Sequence, residues 1–193
     1  MQLYQVFSTP LAQARHYLSL ILQPGDWALD ATLGKGRDLI FLCELVGEDG
    51  KVFGFDIQEQ ALTYTEKLLQ ERGWGNRAEL IQASHANLIQ YIPKESVKAI
   101  MFNLGYLPGG DHSIVTQPES TLTALRQSLD LLASGGMITL VVYYGHPGGL
   151  EEKKAVEAFV AQLDPHFYSV VKIDFFNRRN NPPILIIVEK KIE

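Results

Sequence analysis

Apolar positions along the chain switch repeatedly between helical and strand spacing. Leu11, Ala14, Tyr17, Leu18 and Leu22 recur every three or four residues, as on one face of a helix. Ser8 or Thr9 stands where a helix cap belongs, Pro10 falls in the first turn, and Pro24-Gly25 ends the segment. Compact apolar runs then predict strands at 27–31, 52–57, 78–82 and 97–103. Between them lie helical stretches at 37–46, at 59–71 (closed by Gly73) and, shorter, at 86–91. A loop, 104–117, precedes a helix at 119–132. Gly135-Gly136 turns the chain into a strongly apolar strand at 137–144, and 151–163 is helical. Strands at 168–176 and 184–189 flank a turn-rich connection, 177–183.

This alternation predicts an α/β fold: a mostly parallel sheet of seven strands, with helices on both faces. The last two strands are joined by too short a connection for a parallel crossover, so one late strand runs antiparallel. No repeat, low-complexity segment or linker divides residues 1–193, which predicts a single domain with 1–24 as an N-terminal helix packed on its core. In such sheets ligands bind beyond the carboxyl ends of the strands, at the switch in strand order.

Composition narrows the picture a little. No stretch approaches the roughly 20 apolar residues of a membrane helix, and the first residues lack the basic start and apolar run of a secretory signal. The lone Cys43 excludes an internal disulfide and a multi-cysteine metal site, and its apolar surroundings predict a packing role. These features predict a cytoplasmic protein without membrane contact. A net charge of -5 does not announce a nucleic-acid binder, although a small basic patch beside a site is compatible with an acidic body.

The candidate chemistry falls at the predicted strand ends. Asp30-Ala31-Thr32-Leu33-Gly34-Lys35-Gly36 follows the first sheet strand and opens a helix whose second residue is Asp38. Glycines there admit a tight turn and a close ligand, and a helix amino terminus favours a carboxylate. Asp56, 20 residues after Gly36 and followed by Gln58, is placed to accept hydrogen bonds from two ribose hydroxyls. The third glycine of the dinucleotide fingerprint would fall at position 39, which is leucine, against a nicotinamide or flavin dinucleotide. The D-x-x-x-G-x-G form suits S-adenosylmethionine, whose amino group Asp30 can receive. Ser84 and His85 stand after the third strand, where an adenine is contacted, with capping of the next helix as the competing role for His85. Asp30, Thr32, Gly34, Lys35, Gly36, Asp38, Asp56, Gln58, Ser84, His85 and Asn103 are therefore the candidate cofactor residues.

Asn103-Leu104-Gly105-Tyr106 ends the fourth strand in the outline of the N-P-P-Y motif of amino-group methyltransferases, without its prolines. In that motif the Asn side chain and a backbone carbonyl accept hydrogen bonds from the target amine. This aims its lone pair at the methyl donor. Two glycine-rich loops carry histidines, 107–112 with Asp111 and His112, and 145–149 with Gly145 and His146. Asp111, His112 and His146 are the alternatives for taking a proton from an ammonium. No compact metal-ligand spacing is present. Arg178 and Arg179 suit phosphate, or else a solvated hairpin tip. Glu151, Glu152, Lys153 and Lys154 predict a solvated helix face.

Taken together, the run from Asp30 to Gly36, the string Asn103 to His112, Gly145-His146-Pro147-Gly148-Gly149, and Asn177 with Pro182-Pro183 closely resemble a bacterial family described as rRNA methylases. That family is linked to the tRNA methyltransferases that convert 5-aminomethyl-2-thiouridine to its 5-methylaminomethyl form. The resemblance covers nearly the whole chain and departs from the usual pattern at Lys35, where Asn is commoner. It implies a class I, Rossmann-like methyltransferase using S-adenosylmethionine on the wobble aminomethyl group. Asn103 and Tyr106 would hold the amine and base, and Gly145, His146, Arg178 and Arg179 would complete the substrate side. The implied partner is a tRNA anticodon stem-loop, gripped by one chain or by a homodimer. The alternatives are methylation of another amine, on rRNA or a small molecule, and a non-catalytic module that binds cofactor or RNA.

Overall fold

The computed structural model describes residues 7–105 and 115–192. Three of the candidate residues, Tyr106, Asp111 and His112, lie outside the described residues.

Seven strands form one sheet: β1 (Trp27–Asp30), β2 (Lys51–Asp56), β3 (Ala78–Gln82), β4 (Val97–Leu104), β5 (Leu132–Val142), β6 (Tyr168–Ile173) and β7 (Ile184–Lys190). Their order is β3-β2-β1-β4-β5-β7-β6, and only β7 runs against its neighbours. The expected mostly parallel sheet with one late reversed strand is thus the observed one. Among the described residues five helices flank it: α1 (Pro10–Ile21), α2 (Arg37–Val46), α3 (Glu59–Glu71), α4 (Pro118–Leu131) and α5 (Gly149–Val160). A 3-10 helix, His85–Gln90, follows β3. At the start of α1 it is Thr9 that caps, its hydroxyl accepting from Ala12 N at 3.0 Å.

Period-two alternation divides the strand side chains between two apolar layers. Leu29, Phe53, Phe55, Ile100, Phe102, Ile138 and Leu140 pack with α4, α5 and the 3-10 helix. Ala28, Val52, Ala99, Met101 and Val141 pack with α1, α2 and α3. Cys43 is fully buried in the second layer, and burial pushes its thiol up to about 12, in keeping with packing rather than reactivity.

Gly54 explains how α2 sits so close to the sheet. A Cβ on Gly54 would come within 2.5 Å of Leu39 Cδ1 and 2.9 Å of Leu33 Cδ1. The small residue that a dinucleotide fold places on the helix stands here on the strand, with the leucine opposite it. Gly54→Ala is expected to lower stability by about 1–3 kcal/mol through overpacking, measured by urea unfolding.

Several boundaries differ from the sequence expectation. β5 begins directly after α4, at Leu132, and residues 133–136 bulge out between the pairings Val97 with Leu132 and Ala99 with Met137. The two glycines thus sit inside an interrupted strand rather than before it. β5 ends at Val142, so Tyr143 and Tyr144 belong to the loop, and β6 stops at Ile173, before Phe176. The Glu-Glu-Lys-Lys run is not uniformly solvated. Glu151 and Lys154 are exposed, but Glu152 is fully buried, because it falls on the face of α5 that meets α4. Among the described residues, no helix is long and apolar enough to cross a membrane.

Candidate active site

The strand order reverses between β1 and β4, and a cleft of about 670 Å³ opens at their carboxyl ends. Ala31 to Lys35 and Asp38 line one wall, Asp56 to Gln58 and Ala83 to His85 the next. Asn103, Gly105, Thr116, Ser120 and Tyr143 to His146 form the opposite side, and Leu11 and Asn181 close the rim. Of the described candidates, Thr32, Gly34, Lys35, Asp38, Asp56, Gln58, Ser84, His85, Asn103, Gly145 and His146 all line this one cleft.

The glycine loop is held from both sides. Gly34 N donates to Asp56 Oδ2 at 2.9 Å, and Gln58 N donates to Asp56 Oδ1 at 3.0 Å. Asp56 is thereby fixed at the cleft wall with further lone pairs available to a hydroxyl-bearing ligand. Gly36 caps α2 with φ of 67°, and a Cβ there would strike the Thr65 side chain of α3. Thr32 joins the loop to the neighbouring strand, since its hydroxyl accepts from Asn103 N at 2.7 Å.

Three carboxylates crowd this end of the sheet. Asp30 is fully buried; its Oδ1 accepts from Thr32 N, and its Oδ2 has no hydrogen-bond partner among the described residues. Burial first, then the charges of Asp38 and Asp56, push its carboxyl well above the ordinary range. Asp38 is differently placed. Arg15 of α1 reaches its Oδ1 with Nε at 2.8 Å and Nη2 at 2.6 Å, and Asn103 Nδ2 donates to its Oδ2 at 2.7 Å.

That last bond settles how the Asn103 amide faces, because a carboxylate accepts only from the NH2 end. Asn103 Oδ1 accepts no hydrogen bond among the described residues, and the residue lines the cleft. The backbone carbonyls beyond it are already engaged: Leu104 O accepts from Tyr143 N, and Gly105 O from Thr116 N.

Ser84, not His85, caps the 3-10 helix, its hydroxyl accepting from Ala86 N at 3.2 Å. The His85 ring meets the Ala31 backbone and the edge of Phe102, and burial lowers its pKa, so the imidazole is neutral at pH 7. Its Nε2 is buried without a partner among the described residues. His146 lies beside Gly105, where a Cβ would stand 3.7 Å from His146 Nε2.

Arg178 and Arg179 are exposed and do not line the cleft. Arg178 Nη2 donates to the carbonyls of Phe7 and Ser8, and its guanidinium stacks over Phe175 at 3.8 Å, tying the β6–β7 loop to the start of α1. Asn181 of that loop does reach the cleft.

Sequence reasoning missed Arg15, Thr116 and Glu152. Gly105 N donates to Thr116 Oγ1 at 2.9 Å, Thr116 Oγ1 to Glu152 Oε2 at 2.7 Å, and Thr121 Oγ1 to Glu152 Oε1 at 2.7 Å. The carboxylate thus fastens both sides of the segment that opens after Gly105. One signal was available: Thr116 and Thr121 lie five residues apart on either side of the start of α4, where hydroxyls suggest a buried acceptor.

Strand order, a reversed seventh strand and a cleft at the β1–β4 switch define the Rossmann-like fold of class I methyltransferases. Residues 52–189 match the family described as "Putative rRNA methylase", and the chain belongs to that family. The chain is similar to a Clostridium thermocellum protein of the same description, with a TM-score of 0.93 and 47% identity, covering 95% of this chain and 98% of that one. It is also similar to a Streptococcus mutans methyltransferase solved in complex with SAH, with a TM-score of 0.87 and 37% identity, covering 95% and 99%. A curated relative is the chloroplastic tRNA (mnm5s2U34)-methyltransferase of Arabidopsis thaliana, 36% identical over 180 residues, or 89% of this chain. The chain spans 66% of that plant protein's length, just under two thirds.

Proposed function

We propose that this protein is an S-adenosylmethionine-dependent N-methyltransferase whose substrate is the aminomethyl group of 5-aminomethyl-2-thiouridine at the tRNA wobble position. The single observation that carries the reading is the Asn103 amide. Its NH2 end is bound to Asp38 in a residue that lines the cleft, which leaves the carbonyl oxygen as the group to accept an N–H. The named activity of the plant relative and the SAH in the Streptococcus structure support the same reading.

The residues present fit this cofactor. A buried, unpartnered carboxylate oxygen on Asp30, with Asp38 and Asp56 nearby, favours a ligand carrying positive charge. S-adenosylmethionine brings an ammonium and a sulfonium, and the latter supplies the activated methyl group. Asp30 would receive the ammonium, Asp56 the ribose hydroxyls, and Ser84 and His85 the base. Gly34 keeps a side chain out of the way, Gly36 lets the loop turn beneath Thr65, and Lys35, Gln58 and Thr32 complete the wall.

On the substrate side, Asn103 Oδ1 accepts a hydrogen bond from the amine and orients its lone pair. Tyr106 would pack on the uracil ring, since an anticodon base can be splayed into a pocket and stacked on an aromatic side chain. His146, with Asp111 and His112 as alternatives, would take the proton that the ammonium must lose. Gly145, Arg178 and Arg179 complete the contacts to an anticodon stem-loop.

The test uses purified protein, labelled S-adenosylmethionine, and tRNA from cells lacking the methylated wobble base, followed by nucleoside mass spectrometry. Gain of one methyl group on 5-aminomethyl-2-thiouridine is the expected result. Cofactor binding with no transfer to that tRNA would sink the substrate assignment and turn the search to other amines.

Asp30 yields a second expectation. Its folded carboxyl holds a proton above the ordinary value of 3.8. The folded chain therefore binds more protons than the unfolded one between that value and the raised pKa. Stability falls as pH rises through this window. Asp30→Asn removes the loss, so the variant should melt higher than the wild type at neutral pH. It should also bind S-adenosylmethionine about tenfold more weakly, the order expected for one charge-assisted hydrogen bond. Thermal melts from pH 4 to 8 and titration calorimetry check the two halves.

A further inference from the structure

We infer that Asp38 is a positioning residue for Asn103, clamped in its turn by Arg15, and that this relay sets the polarity by which the cleft selects an N–H donor. The inference rests on the amine N-methyltransferase reading and goes beyond it by assigning what orients the acceptor.

A terminal amide is nearly symmetric in shape, and rotation by half a turn about its last bond exchanges an acceptor for a pair of donors. Left alone at the end of β4, Asn103 would present either end to the cleft. Asp38 removes the ambiguity. Its Oδ2 lies 2.7 Å from Asn103 Nδ2, and the flipped amide would set carbonyl against carboxylate. The residue is 7% exposed, so little water competes for the bond.

The carboxylate itself is kept from turning by its other oxygen. Arg15 meets Oδ1 with both Nε and Nη2, which ties down that oxygen and leaves Oδ2 to Asn103. Arg15 Nη2 also donates to Arg37 O, and the guanidinium lies over the Phe41 ring at 5.2 Å. The clamp is therefore anchored on α2 at three places. Both Asp38 oxygens are engaged within the protein, which leaves this carboxylate better suited to hold Asn103 than to hold the cofactor. Negative charge behind the amide also strengthens its carbonyl as an acceptor and favours positive charge arriving on the substrate nitrogen.

The test combines a spectroscopic and a kinetic arm on the full chain. In nitrogen-15 NMR, the Asn103 side-chain amide of the wild type is expected downfield and slow to exchange. Asp38→Ala should abolish that signature, and so should Asp38→Asn, whose one carbonyl oxygen is claimed by Arg15 and whose NH2 end would face Asn103. In turnover assays, Asp38→Ala should lower kcat by about 10- to 100-fold, the scale of a misaligned reacting group. The affinity for S-adenosylmethionine should fall far less than kcat, and Asp38→Asn should not recover the rate, since its single carbonyl oxygen cannot serve Arg15 and Asn103 together. In an Asn103→Ala background, Asp38→Ala should add less than about twofold, because the partner through which it acts is gone.

An Asn103 amide signal unchanged by Asp38→Ala overturns the inference, as does a double variant whose defects multiply. If Asp38→Ala does not fold, Asp38→Ser, which suits the first turn of a helix and falls short of Asn103, takes its place. Absence of transfer by the wild type would count against the tRNA reading alone, since the NMR arm needs no substrate.

Discussion

Asn103→Ala is expected to lower turnover by about 100- to 1,000-fold while leaving the affinity for S-adenosylmethionine nearly unchanged. The scale is that of removing one preorganised polar group from a reacting centre. Two features of the structure make the split sharp. The Asn103 backbone N–H, which binds Thr32 and so supports the cofactor loop, survives the substitution. The side chain, whose NH2 end is held by Asp38, belongs to a cleft-lining residue and is the part the substitution removes. Single-turnover kinetics with calorimetry of cofactor binding would measure both quantities. Equal loss of binding and turnover would mean that the amide supports the cofactor rather than the amine.

The second large effect is on stability. Glu152→Ala is expected to destabilise the fold by about 3 kcal/mol, because two hydroxyls lose their acceptor at roughly 1–3 kcal/mol each. For a chain of this length that is a fall in Tm of about 6–12 °C. Glu152 is fully buried and meets no cation among the described residues; its two oxygens are met by Thr116 and Thr121. Thr116 in turn receives Gly105 N, so the same substitution should loosen the end of β4. Glu152→Gln keeps one acceptor oxygen and should cost less than half as much. Differential scanning calorimetry of both variants decides the matter. A melting temperature unchanged in Glu152→Ala would show that the two hydroxyls find other partners.

The course of the sheet was legible in the sequence because each strand is a compact apolar run between glycine or charged punctuation. The reversal of β7 followed from the length of the connection before it. Much of the cleft was legible too, for Gly34, Gly36 and Asp56 act through backbone geometry and spacing that a one-dimensional string preserves. What stayed hidden was long-range pairing. Arg15 lies 23 residues from Asp38, and Asp38 lies 65 residues from Asn103, so no local pattern ties the three together. Glu152 was concealed by its neighbours, since a run of four charges reads as a wet helix face whichever member turns inward. The close approach of α2 could not be read from Leu39 alone, because the glycine that permits it, Gly54, stands on the partner strand.

The reversed seventh strand has a bearing on how such a protein can diversify. Had β7 run with its neighbours, the chain would have had to return across the sheet, and its connection would have ended at the far edge. Reversal instead puts the β6–β7 connection at the mouth of the cleft, where Asn181 already stands. That connection joins two strands near the end of the chain and is remote in sequence from the Asp30-to-Gly36 loop. Insertions there can remodel what is admitted without disturbing what is held beneath. It is the natural place to graft a new recognition element onto an unchanged donor pocket.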